Sequence, residues 1–95
     1  MDFKGRLLKA YSEVEDSLEL DAKTKDNPQR ALRAIFELNR EIGRLANDSP
    51  SAALEMKELQ LKVNEVTKAV KAGKLAEAKV FLRDARLSIE SFVRE

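Results

Sequence analysis

The chain has 95 residues, 37% of them charged, and a net charge of +1. That length makes one domain with a modest core. With neither cysteine nor histidine, it has no disulfide framework, no thiolate or imidazole metal ligand and no histidine general base. The near-neutral charge provides no chain-wide field toward nucleic acid or an anionic membrane.

Glycine and proline number only 3 and 2, a composition that favours long helices over strands. The first residues, Met1 to Arg6, lack the apolar run of a signal peptide. No stretch approaches the roughly 18 apolar residues of a membrane span. A cytoplasmic protein without membrane contact is therefore expected.

The first helix is predicted from about Asp2 to Leu20, with Phe3, Leu7, Tyr11, Val14 and Leu18 as its stripe and Leu8 on the flank. Its charges run against the helix dipole. Lys4, Arg6 and Lys9 lie near the start, and Glu13, Glu15, Asp16, Glu19 and Asp21 near the end. Either packing outweighs a small penalty, or the acidic end meets a basic surface on this chain or on a partner. Asp21 to Asn27 is polar and aperiodic and reads as the longest connection, with Asp26 or Asn27 capping the next helix and Pro28 opening it.

The second helix is predicted from about Pro28 to Ala46. Ala31, Ile35, Leu38, Ile42 and Leu45 form its seam. Leu32 and Phe36 widen that seam to roughly half the circumference and make this the most buried helix expected. Gly43 inside it costs about 1 kcal/mol against alanine, and close approach of another helix is the expected reason.

The last half of the chain reads as a helical hairpin, about Pro50 to Ala72 and Lys74 to Arg94. Ser49 and Pro50 form a start signal, and Gly73 supplies the turn. One arm carries Ala52, Met56, Leu59, Val63, Val66 and Val70, the other Leu75, Ala78, Leu82, Ala85, Ile89 and Phe92. The short link makes the arms antiparallel, with Ala78 and Ala85 allowing close approach.

Gly73, Ala78, Leu82 and Ala85 fall at the spacing of the turn glycine and second-helix positions of a tetratricopeptide repeat, and the second arm resembles that motif. The resemblance covers about half of one repeat and implies only a helix-turn-helix hairpin. The first arm departs from it at Lys62 and Ala69, where large aromatics are usual. Any close αα-hairpin needs a turn glycine and small seam residues, so no family is drawn from it.

The fold class expected is an all-α, antiparallel four-helix bundle spanning 1–95 as one domain. The alternative is a three-helix core whose first helix packs loosely or exchanges between subunits.

A solitary bundle needs one apolar stripe per helix, and three helices here carry a second. Leu54 and Leu61 are seven apart and point almost opposite the seam of their helix, Val80 and Leu87 repeat the arrangement on the next, and on the second helix Leu32 and Phe36 lie well to one side. In one explanation these residues are covered within a flatter monomer. In the other they are a partner-binding face rimmed by Glu58, Lys62, Glu65, Arg83 and Glu90, most simply that of a homodimer or a site for another helical protein.

Chemistry is thin. Glu37 and Glu41, and Glu55 and Glu58, are carboxylate pairs one helical turn apart. The pair at Glu55 and Glu58 is similar to the opening half of the motif in helical nucleotide pyrophosphohydrolases. The matching Glu-x-x-Asp is missing, because Glu77 is followed at that spacing by Val80.

Ion pairs on a solvated face are the expectation for both carboxylate pairs, with no metal, no cofactor and no small-molecule substrate. The serines have no histidine partner, so no catalytic residue is expected. Arg30, Arg33, Arg40 and Arg44 line one helix, and Arg83 and Arg86 another, which makes a nucleic-acid accessory role the alternative function. No exposed aromatic is expected among these arginines.

Overall fold

The computed structural model describes residues 3–24 and 29–94. Four α-helices account for nearly all of them: α1 (Phe3–Thr24), α2 (Gln29–Asp48), α3 (Ala53–Lys71) and α4 (Leu75–Arg94), with a single 3-10 turn at Pro50–Ala52 leading into α3. Each helix packs against the next, and α1 closes the ring against α4. The pairs α1/α3 and α2/α4 stand on the diagonals, with their backbones farther apart. The fold is a four-helix bundle with antiparallel neighbours, so the three-helix alternative is set aside.

The heptad-like stripes read from the sequence form the core. Leu7, Val14, Leu18, Leu38, Val66, Val70, Ala78 and Ala85 are wholly buried. Alanine at Ala78 and Ala85 draws α4 toward α3, which is why these two helices pack as closely as the hairpin requires. The hairpin turn follows from Gly73, at φ +76°. Its N–H bonds Val70 O at 3.0 Å and the Lys74 N–H bonds Ala69 O at 2.9 Å, the paired bonds that close a helix on a left-handed residue.

Several expectations need correction. Leu20 does not end α1, which runs on through Thr24. Asp21, expected in the longest connection, is buried at 1% exposure, and its Oδ2 accepts the backbone N–H of Ala31 at 2.9 Å. A carboxylate there satisfies an amide in the first turn of α2 and complements its positive end. Ser49 makes no side-chain cap, and Pro50 opens the 3-10 turn instead of α3 itself. Gly43 has open space where a Cβ would stand, so no helix of this chain requires it. Leu32 is half-buried and Phe36 exposed, so the α2 seam is narrower than expected. The Phe3 side chain, and the capping expected of Asp26, Asn27 and Pro28, lie outside the described residues.

The reversed charges of α1 also find their reason. Because α1 is antiparallel to both neighbours, its acidic end lies by the start of α2 and its basic end by the finish of α4. Asp21 serves the first, and Lys4 reaches the carbonyl oxygen of Val93 at 3.5 Å and the Phe92 ring at 5.5 Å. Glu13 and Asp16 share a groove with Arg30 and Arg33 of α2. Asp21, Lys4, Glu13 and Asp16, which oppose the dipole of α1, thus each meet the end or the flank of a neighbour.

Candidate protein-interaction faces

The hairpin α3/α4 forms one side of the bundle. A step of 100° per residue puts Leu54 and Leu61 diametrically opposite the buried seam of α3, and Val80 and Leu87 opposite that of α4. All four are solvent-exposed: Leu54 71%, Leu61 61%, Val80 60% and Leu87 62%. α1 and the loops do not cover them, which removes the flatter-monomer explanation for the isolated chain. The two rows edge a shallow trough along the helix pair. The Nζ of Lys62 and the Oγ of Ser88 bridge it, and Glu55, Glu58, Leu87 and Ser91 line one end.

The rim is less mixed than the sequence suggested. Between the leucine rows the charged residues are Glu55, Glu58, Glu65, Glu77 and Asp84, with Lys62 as the counter-charge. Glu65 pairs with Lys68 at 3.5 Å, an exposed contact of small worth. Arg83 and Glu90 turn toward α1, away from the trough.

The arginines of the alternative reading fall into two separate sets. Arg30, Arg33, Arg40 and Arg44 are exposed on α2, and Arg83 and Arg86 on α4. These helices are diagonal, so the two sets do not merge into one basic surface. Arg44 is 3.5 Å from Glu41. Arg86 bonds Glu90 at 2.9 Å and stands 3.9 Å from Glu15, and the bond to Glu90 raises its pKa above the ordinary value.

One absence expected from the sequence is overturned. Phe36, 64% exposed, stands on the outer side of α2 close to Arg33 and Arg40. The sequence pattern places it with Leu32 on a flank that widens the α2 seam, well to one side of it, and so puts no ring among the arginines.

The carboxylate pairs are not gathered. Glu37 lines the α1/α2 groove, Glu41 lies beside Arg44, and Glu55 and Glu58 line the α3/α4 trough.

The one polar network of note is at the α1/α4 joint. Tyr11 donates its hydroxyl to Glu15 Oε2 at 3.0 Å, and Glu15, Glu19, Lys79, Arg83 and Arg86 line the groove beside it. Burial first, then the bond to Glu15, pushes the Tyr11 phenol well above its usual range.

Among the described residues, no helix is long and apolar enough to cross a membrane. No protein-family model, curated protein or solved structure matches the chain.

Proposed function

We propose that the chain is a small, non-enzymatic, cytoplasmic interaction module that self-associates through the leucines on the outer side of α3 and α4. The observation that carries this reading is the set Leu54, Leu61, Val80 and Leu87, each at least 60% exposed and paired at heptad spacing on adjacent helices. Single exposed leucines are ordinary surface features. Two aligned pairs on neighbouring rods place apolar area where another helical face can cover it. The bundle extends 40 by 21 Å between its Cα extremes, a side comparable with the roughly 800 Å² each partner contributes to a stable interface.

The test is Leu61→Glu combined with Leu87→Glu. Both positions are exposed, so helix content by circular dichroism stays at the wild-type level while association, read as absolute mass by light scattering on a sizing column, is lost. Association that survives the double substitution removes this face from consideration.

Nucleic-acid binding through Arg30, Arg33, Arg40, Arg44, Arg83 and Arg86 is the second reading. Phe36 beside Arg33 and Arg40 favours it, as a ring on which a base could stack. The diagonal separation of the two arginine sets and the carboxylates of Glu13 and Asp16 beside Arg30 and Arg33 oppose it. Its signature is an affinity for an oligonucleotide that falls steeply with salt.

A further inference from the structure

The side of the bundle formed by α2 and α3 differs in kind from the leucine-edged side. On α2 it carries Phe36, half-buried Leu32 and Gly43. Gly43 lies one heptad from Phe36 on the same stripe and has nothing within 4 Å of where its Cβ would be. A ring that projects and a bare stretch of backbone two turns away make a knob and a hollow, the form that lets another helix come close. From α3 the same side receives Lys57, Asn64 and Lys71, with Arg40 and Lys68 at its edges. Of the carboxylates of α2 and α3, Glu37 lines the α1 groove and Glu55 and Glu58 the α4 trough, helical spacing turns Glu41 and Asp48 toward α1, and Glu65 stands at the edge beside Lys68.

The chain therefore has a cationic side with an aromatic knob, and beside it an acidic side edged by leucines. Pairing the leucine side with itself about a two-fold axis brings Glu58, Glu65, Glu77 and Asp84 against their own copies, a like-charge contact that opposes association. Pairing it with the α2/α3 side opposes carboxylates to Lys57, Lys71 and Arg40, and gives the leucines a ring and a hollow to pack on.

We infer that self-association is head to tail: the leucine-edged α3/α4 side of one copy docks on the α2/α3 side of the next, around Phe36, Gly43 and Lys57. This rests on the self-association reading and names the surface that receives the leucines. Such a heterologous contact leaves one live side on each copy and continues until a ring closes or a filament grows.

Two variants that each disable one side test it. Val80→Arg with Leu87→Arg disables the leucine-edged side, and Phe36→Glu with Lys57→Glu disables the cationic side. All four positions are exposed, and circular dichroism checks the fold. Should either pair fail to fold, Leu87→Ser and Phe36→Ser replace them. Wild-type protein is expected to exceed the mass of a dimer as concentration rises, and each variant alone to run as a monomer. An equimolar mixture of the two is expected to form a heterodimer that grows no further, because each supplies the side the other lacks.

Salt is expected to weaken the wild-type assembly, since the docked sides carry opposite charge. If the Phe36/Lys57 variant still dimerises by itself and the mixture yields no heterodimer, pairing is symmetric. Head-to-tail docking then fails while self-association stands. A wild-type protein that stays monomeric at every concentration overturns both.

Discussion

Asp21 and Glu15 are carboxylates on the same helix, and they occupy opposite environments. Asp21 is buried at the α1/α2 joint, with a backbone N–H of α2 at 2.9 Å. Glu15 is half exposed at the α1/α4 joint, between the Tyr11 hydroxyl at 3.0 Å and the Arg86 guanidinium at 3.9 Å. The first joint is the more extensive, although each carries a surface groove. A carboxylate with protein behind it fixes the position of a helix end, whereas one with water behind it exchanges one partner for another at little cost. The residue type is the same, and desolvation decides its worth.

The largest expected effect follows at the more extensive joint. Asp21→Ala leaves the Ala31 amide without its acceptor and removes a negative charge from the start of α2. The expected loss is about 2 kcal/mol, at the upper end for caps and partly buried dipole partners. Urea denaturation checks it as a fall in midpoint at unchanged slope. Asp21→Asn keeps an acceptor and is expected to recover part of the loss, so the two substitutions separate the bond from the charge. A loss under about 0.5 kcal/mol for alanine, the level of an ordinary surface substitution, removes the distinction between the joints.

The same dependence on surroundings explains what could be read from the sequence. Each helix has a clean apolar stripe, and period alone placed Leu7, Leu38, Val66 and Ile89 in the core. The outward direction of Leu54, Leu61, Val80 and Leu87 was legible in the same way, as an angle from the helix's own seam. Asp21 was not legible, because its partner lies ten residues on and belongs to another helix. Nor was the separation of charge onto different sides. Periodicity gives an angle around one helix but not which neighbour stands to its left or right. Phe36 and Lys57 share a side only because α3 flanks α2 there.

Gly43 was misread for a related reason, since glycine in a helix signals close approach without saying by whom. With open space at its Cβ position, Gly43→Ala is expected to stabilise the isolated chain by about 1 kcal/mol. A differential melting experiment reads this as a rise in Tm. A fall instead means that a backbone or side chain does occupy the hollow. This half-buried position sharpens the comparison from the other side: at Asp21 a substitution removes what burial made valuable, while at Gly43 it adds helix propensity in space that nothing else uses.

The smallest effects belong to the less extensive joint, and pH separates them from the rest. Glu15→Gln exchanges an exposed carboxylate for an amide that still accepts from Tyr11, and a change within about 0.5 kcal/mol at neutral pH is expected. Tyr11 itself carries a pH dependence. Its phenol is raised in the folded protein, first by burial and then by the bond to Glu15. The folded state thus prefers the neutral hydroxyl, and the contribution is complete below the ordinary tyrosine value of about 10. Above that value the unfolded chain releases the proton more readily, and the contribution is lost as pH climbs toward the folded pKa.

Tyr11 is the one tyrosine in the chain, so phenolate absorbance reports on it alone. Its ionisation is expected to coincide with alkaline loss of helix, not to precede it. Tyr11→Phe should flatten stability against pH above that point and leave the neutral value nearly unchanged. Ionisation near the ordinary value in a chain still fully helical would mean that water reaches the hydroxyl freely, and that the α1/α4 joint is more open than the bond to Glu15 implies.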